Sequence, residues 1–202
     1  EVCPEARCGA NVAGFPKPYI LDLMKYGVME KLNFFALHPY DPHPEQSWAQ
    51  RVEWLRDVFA GAGYRGADVE VWQGECGFAS WTPEKYWQPR FVRESERAQA
   101  VWLLRRYVLD LYLDLEMSSY FQTADMMEKA YQMGASEQST RKVARQGILN
   151  GLTYSPKPAY HAYANVNAIF HDGIKPVDGQ RFITWQDDAR PLNGRHARLE
   201  NV

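Results

Sequence analysis

Four times in succession, a short apolar stretch is followed by an amphipathic helical stretch, and this alternation limits the folds open to the chain. Arg7 to Ala13 reads as a short strand closed by Gly14. Pro16 to Tyr26 sets Tyr19, Ile20, Leu23 and Met24 on one helical face, with Gly27 as the stop. Leu32 to Leu37 is a near-continuous apolar run, which suits a strand buried on both faces. From Glu45 to Ala62, Trp48, Val52, Leu55, Val58 and Phe59 recur at helical steps. Val69 to Gly74 is the third strand. A loop with Pro83 and Pro89 follows, then the longest helix, Glu94 to Leu115. Met117 to Gln122 is the fourth strand, and Ala159 to Phe170 a further helix introduced by Pro156 and Pro158.

Strands separated by helices must run parallel, because a helical crossover returns the chain to the same end of the sheet. Such a sheet is either open and doubly wound or part of a closed (β/α)8 barrel. No glycine-rich phosphate loop follows any strand, which weakens the doubly wound option. The polar residues His38, Glu75, Gln122 and Asp125 come just after strands, where a barrel builds its active site. The fold class is therefore α/β, with residues 1–174 as about four strand–helix units of a barrel. Beyond residue 175 the pattern changes. Gln180 to Trp185 alternates, and Asp187, Asp188, Pro191 and Asn193-Gly194 signal turns, so 175–202 reads as the start of a β-sandwich accessory domain.

Composition excludes several functions. Charged residues are 24% of the chain with a net charge of -2, which argues against a nucleic-acid partner. No apolar run is long enough to span a bilayer, and no signal peptide opens the chain. Cys3, Cys8 and Cys76 form neither a disulfide framework nor a metal-ligand spacing, so no metal or other cofactor is expected. Aromatics are in excess, at 14%. They serve either a large core or the stacking of sugar rings, whose C–H faces pack on electron-rich rings.

The segment with the most chemistry is Val69-Glu70-Val71-Trp72-Gln73-Gly74-Glu75-Cys76-Gly77-Phe78. An apolar strand ends in Gly-Glu-x-Gly, and the glycines let the backbone turn and approach a ligand. Glu75 is then a carboxylate held at a strand exit by a rigid sheet, which is what an attack on an anomeric carbon requires. The structural alternative is a glutamate that merely caps the next turn.

The run Trp72-Gln73-Gly74-Glu75-Cys76-Gly77 resembles the strand-seven nucleophile motif of the clan of (β/α)8 retaining glycoside hydrolases that includes cellulase-like and xylosidase-like families. Leu37-His38-Pro39-Tyr40 resembles that clan's strand six, where a His or Tyr lies beside the nucleophile or reaches the sugar. Tyr154-Ser155-Pro156-Lys157-Pro158-Ala159-Tyr160 resembles the opening of its helix eight. The three matches fall in order across roughly residues 7–171. The resemblance implies the C-terminal half of the barrel, Glu75 as nucleophile and a carbohydrate as substrate.

The chain departs from the clan in two places. The clan's acid/base, a Glu at the end of strand four, has no counterpart. Glu5 precedes a strand and belongs at the stability face. Where the clan sets a Trp at strand eight, Ser119-Tyr120-Phe121-Gln122 offers Tyr120 or Phe121. Four strands are half of a barrel, and open strand edges are a liability. The chain is thus expected to be a fragment whose partner is the remaining N-terminal half of the barrel, and to be inactive alone.

Expected substrate contacts are His38, Tyr40, Trp81, Tyr120, Phe121 and Gln122, with Trp87 a further stacking candidate. Trp48, Trp54 and Trp102 lie on helices and are expected to pack. Cys76 is read as a small packing residue, and Asp125 as a loop-orienting or substrate-touching one. The leading function is retaining hydrolysis of β-linked glycosides or polysaccharides; the alternative is a barrel that binds carbohydrate without cleaving it. A secreted or periplasmic location is expected over a cytoplasmic one. An aldolase or metal-dependent barrel is disfavoured: no Lys ends a strand, and no His-x-His does.

Overall fold

A computed structural model describes residues 5–62, 68–80, 95–126, 145–171, 182–186 and 195–199. Two compact units divide the chain, Glu1–Val166 and Asn167–Val202.

In the first unit, β1 (Gly9–Ala13) leads to α1 (Lys17–Lys25) and a 3-10 turn (Val28–Lys31). Then come β2 (Phe34–His38), α2 (Pro44–Gly61), β3 (Glu70–Cys76), α3 (Glu96–Tyr112), β4 (Met117–Tyr120) and α4 (Pro158–Ile169), the last three residues of which are counted with the second unit. The helices begin and end where side-chain chemistry directs. Gly27, at φ 70, takes the left-handed conformation that stops α1. Pro44 opens α2 at a position whose N–H has no helical partner. The Ser95 hydroxyl accepts from the Ala98 N–H at 3.0 Å and caps α3.

The four strands form one parallel sheet in the order β1-β2-β3-β4. Each strand lies beside its predecessor, with no reversal of order such as a doubly wound sheet makes at its switch point. The arrangement is that of half a (β/α)8 barrel. The expected strands are present, the fourth ending at Tyr120 rather than Gln122. The peptide joining Phe121 and Gln122 is cis.

One sheet face is covered by helices. Val12, Phe35, Leu37 and Val71 pack with Ile20, Trp48, Val52, Leu55 and Phe59 in a continuous core. Burial of such side chains contributes roughly 1.5–3 kcal/mol each. A second cluster joins Cys76 and Phe78 to Trp102, Leu103, Tyr107, Ala159 and Val166. The opposite face carries a stacked pair, Phe34 and Trp72, with centroids 3.7 Å apart. Gly9 lies under the Phe34 ring, where a Cβ would come within 2.0 Å. At the strand starts, Arg7 pairs with Glu70 at 2.7 Å and lies over the Trp72 ring.

The second unit contains β5 (Phe182–Gln186) and β6 (Arg195–Leu199), which pair antiparallel. Among the described residues, no helix is long and apolar enough to cross a membrane.

Candidate active site

Glu75 owes its direction to an irregularity in β3. Gln73 pairs with Ser118 and Cys76 with Tyr120, so three steps on β3 match two on β4. Gln73 faces the helices, its Oε1 accepting from the Ser119 N–H at 2.8 Å, and Cys76 belongs to the helix-side core. The bulge therefore turns both Gly74 and Glu75 to the other face. A Cβ on Gly74 would point at Ala36 and His38. Gly77 lets the exit turn: a Cβ there would stand 2.0 Å from the Phe121 carbonyl oxygen.

At the end of β2, His38 and Tyr40 converge on this carboxylate. The Tyr40 hydroxyl donates to Glu75 Oε1 at 2.5 Å. His38 Nδ1 stands 3.6 Å from Oε2. The Glu75 side chain keeps 32% of its exposure, so one edge of the carboxylate remains open to a ligand. Burial, and then the bond to Glu75, push the Tyr40 phenol well above the usual tyrosine range. Its proton stays on oxygen, which makes it a permanent donor to the carboxylate.

The backbone bearing Tyr40 is tied down. The His38 carbonyl accepts from Gly14 N–H at 3.1 Å and Tyr40 N–H at 3.0 Å. Asp41 Oδ1 accepts from the His43 N–H at 2.8 Å, and Oδ2 from the Ser47 hydroxyl at 2.6 Å. Behind the strands, Asp110 accepts from Trp48 Nε1, Arg106 Nε and Ser118 Oγ in a buried network.

The other expected residues are placed as follows. Phe121 and Gln122 stand at the same end of the sheet, the Phe121 N–H donating to the Cys76 carbonyl at 2.7 Å. Tyr120 is a correction. It faces the helices, packs on Trp102, and directs its hydroxyl to the Phe78 carbonyl and Gln99. Its pairing with Cys76 sets it on the helix side, where it serves the core rather than a substrate. Trp81 and Trp87 lie outside the described residues. Glu5 is exposed and lies before β1, on the side of the Arg7–Glu70 pair and away from Glu75. Burial pushes the Cys76 thiol up to about 12, so it stays protonated.

Lys157 and Asp125 had a part the sequence did not show. The Lys157 ammonium is 3% exposed and donates to Asp125 Oδ1 at 2.7 Å, the Gly147 carbonyl at 2.8 Å and Ser80 Oγ at 3.0 Å. Asp125 thus ties a loop in place, its Oδ1 accepting from the Gly147 N–H at 3.0 Å as well. The Pro-Lys-Pro run was the available signal, since a Lys between prolines at a helix start is placed firmly.

No family model matches the chain, and no curated protein matches it by sequence. Solved structures do match in fold, glycoside hydrolases among them. A GH2 β-galacturonidase from Eisenbergiella tayi bound to glycerol shares 14% identity at a TM-score of 0.53, over 74% of this chain and 26% of that one. A family 39 glycoside hydrolase from the gut symbiont Bacteroides cellulosilyticus WH2 shares 17% identity at 0.53, over 84% and 32%. The chain therefore spans about a quarter to a third of the length of these proteins, and at these identities the likeness is one of fold.

Proposed function

We propose that the chain is the C-terminal half of a retaining glycoside hydrolase barrel acting on β-linked glycosides, with Glu75 as its nucleophile. The observation that carries this reading is the Glu75 carboxylate at a strand exit, bonded to Tyr40 and faced by His38. Fold-level likeness to glycoside hydrolases supports it.

In the proposed reaction, Glu75 Oε attacks the anomeric carbon and the bond to the leaving oxygen breaks. A second carboxylic acid, roughly 5–5.5 Å away, gives the leaving group its proton. That residue then takes a proton from water, whose oxygen attacks the anomeric carbon and frees Glu75. Tyr40 aims Glu75 through its hydroxyl, and His38 borders the same carboxylate. Phe121, Gln122 and Trp81 remain proposed substrate contacts.

The second carboxyl is proposed to come from the remaining N-terminal half of the barrel. In support, the sheet holds four strands, with β1 and β4 at its edges. Residues 175–202 are proposed to begin a β-rich accessory domain.

The test is hydrolysis of an activated aryl β-glycoside by the full-length protein and its Glu75→Gln variant, with melts alongside. Turnover should fall by several powers of ten, on the order of catalytic-group losses elsewhere, with the melt unchanged. Equal turnover in both removes Glu75 from the role. Binding without turnover in the wild type would favour the carbohydrate-binding reading.

A further inference from the structure

Trp102 is 2% exposed on α3, and its ring packs between two loops of the candidate site. On one side it stacks near Phe78, with centroids 5.8 Å apart, just past the exit of β3. On the other its indole N–H donates to the Asp41 carbonyl at 2.8 Å, across 61 positions of sequence. One turn along α3, Arg106 Nη1 approaches the Pro39 carbonyl at 3.5 Å. The backbone on either side of Tyr40 is thus held from α3. Pro39 has no N–H, so this turn can be held only through its carbonyls and its neighbours.

We propose that Trp102 is a positioning residue: its indole N–H fixes the Pro39–Asp41 turn so that the Tyr40 hydroxyl reaches Glu75, while its ring backs the Glu75–Phe78 exit. The proposal rests on the reading of Glu75 as nucleophile for its kinetic consequence, though not for its structural one. A buried indole N–H needs an acceptor wherever it lies. Here that acceptor is a carbonyl one residue from the side chain that holds Glu75.

Among the described residues, His38 and Tyr40 face Glu75 from the end of β2, and Cys76 adjoins it on β3. Tyr120 of β4 and the Arg106–Asp110 pair of α3 lie on the helix side of the same strand end. A loosened Tyr40 weakens a bond that aims the carboxylate, and a misplaced attacking oxygen slows the reaction.

The experiment compares wild type, Tyr40→Phe, Trp102→Phe and the control Trp54→Phe in the full-length protein. Trp102→Phe keeps an aromatic ring and deletes the N–H together with the second ring of the indole, a loss of volume that Trp54→Phe repeats away from the site. Two readouts are taken: the Tyr40 Oη–Glu75 Oε1 separation in crystals of each protein that keeps Tyr40, and kcat and KM on an activated aryl glycoside. Trp102→Phe should lengthen the separation beyond hydrogen-bond reach, and Tyr40→Phe should lower kcat at least as far as Trp102→Phe does. Trp102→Phe should lower kcat about fivefold with KM little changed. Trp54→Phe should leave both readouts in place.

An unchanged Tyr40–Glu75 separation in Trp102→Phe overturns the proposal. If Trp102→Phe does not fold, Ser47→Ala frees the same turn from α2 by loss of one hydroxyl. A smaller lengthening then supports the proposal, and none overturns it. The separation reads the placing of Glu75 whether or not it is the nucleophile. A lengthened contact with kcat unmoved therefore upholds the positioning and fails the catalytic reading.

Discussion

Tyr40 and Glu75, 35 positions apart, meet at 2.5 Å through a phenol and a carboxylate. Neighbouring parallel strands bring their ends together. The β3 bulge turns one partner to the face opposite the helices, and the anchored Pro39 turn presents the other.

Tyr40→Phe should leave the fold intact and lower kcat by roughly ten- to a hundredfold, the worth of one hydrogen bond to a charged group. Steady-state kinetics and a melt of the full-length protein check both. A flat response would mean that the contact holds no reacting group.

Gly77→Ala should cost about 1–3 kcal/mol, because the new Cβ would meet the Phe121 carbonyl at 2.0 Å and backbone must shift to admit it. Activity should fall further than stability alone explains, since the shift displaces Glu75 two residues away. Chemical denaturation and kcat, measured together, separate the two effects.

Lys157→Met should destabilise by about 3–5 kcal/mol, because Asp125, 1% exposed, loses its cation partner. Adding Asp125→Asn should recover part of that loss, as the uncompensated charge disappears. A single variant with an unchanged denaturation midpoint would show that the ion pair does not hold these loops together.

Glu70 bears on stability against pH. The bond from Arg7 holds its carboxyl below the usual glutamate range. A group lowered in the folded state adds stability above its unfolded midpoint, and loses it as pH falls through the folded one. Melts should therefore drop as pH falls from the ordinary glutamate range downward, and Arg7→Gln should flatten that part of the curve. Because Arg7 is half exposed, added salt should mimic the substitution.

Much of this was legible in the residues. The apolar runs and helical periods placed four strands and four helices, because core burial writes its period into the sequence. Glu75 and His38 were found as strand-end polar residues in a barrel pattern. The bulge was not legible. Strict alternation sets Gln73 and Glu75 on one face, and only the β4 register shows them on opposite ones. Tyr120 was misplaced for a related reason: Met117-Ser118-Ser119-Tyr120 has no clear apolar side from which to read its facing. Trp102 read as packing because helical period reports burial and says nothing of where an indole N–H points. Lys157 and Asp125, 32 positions apart, look like two ordinary charges until the fold joins them.

A nucleophilic Glu75 forms a covalent bond to the sugar. Mass spectrometry of the full-length protein, after exposure to a panel of activated 2-deoxy-2-fluoro-β-glycosides that slow release of the intermediate, reads that bond directly. One glycosyl unit should be added, on the peptide containing Glu75, with no label in Glu75→Gln. A label on any other side chain, or hydrolysis with inversion and no label, contradicts Glu75 as nucleophile.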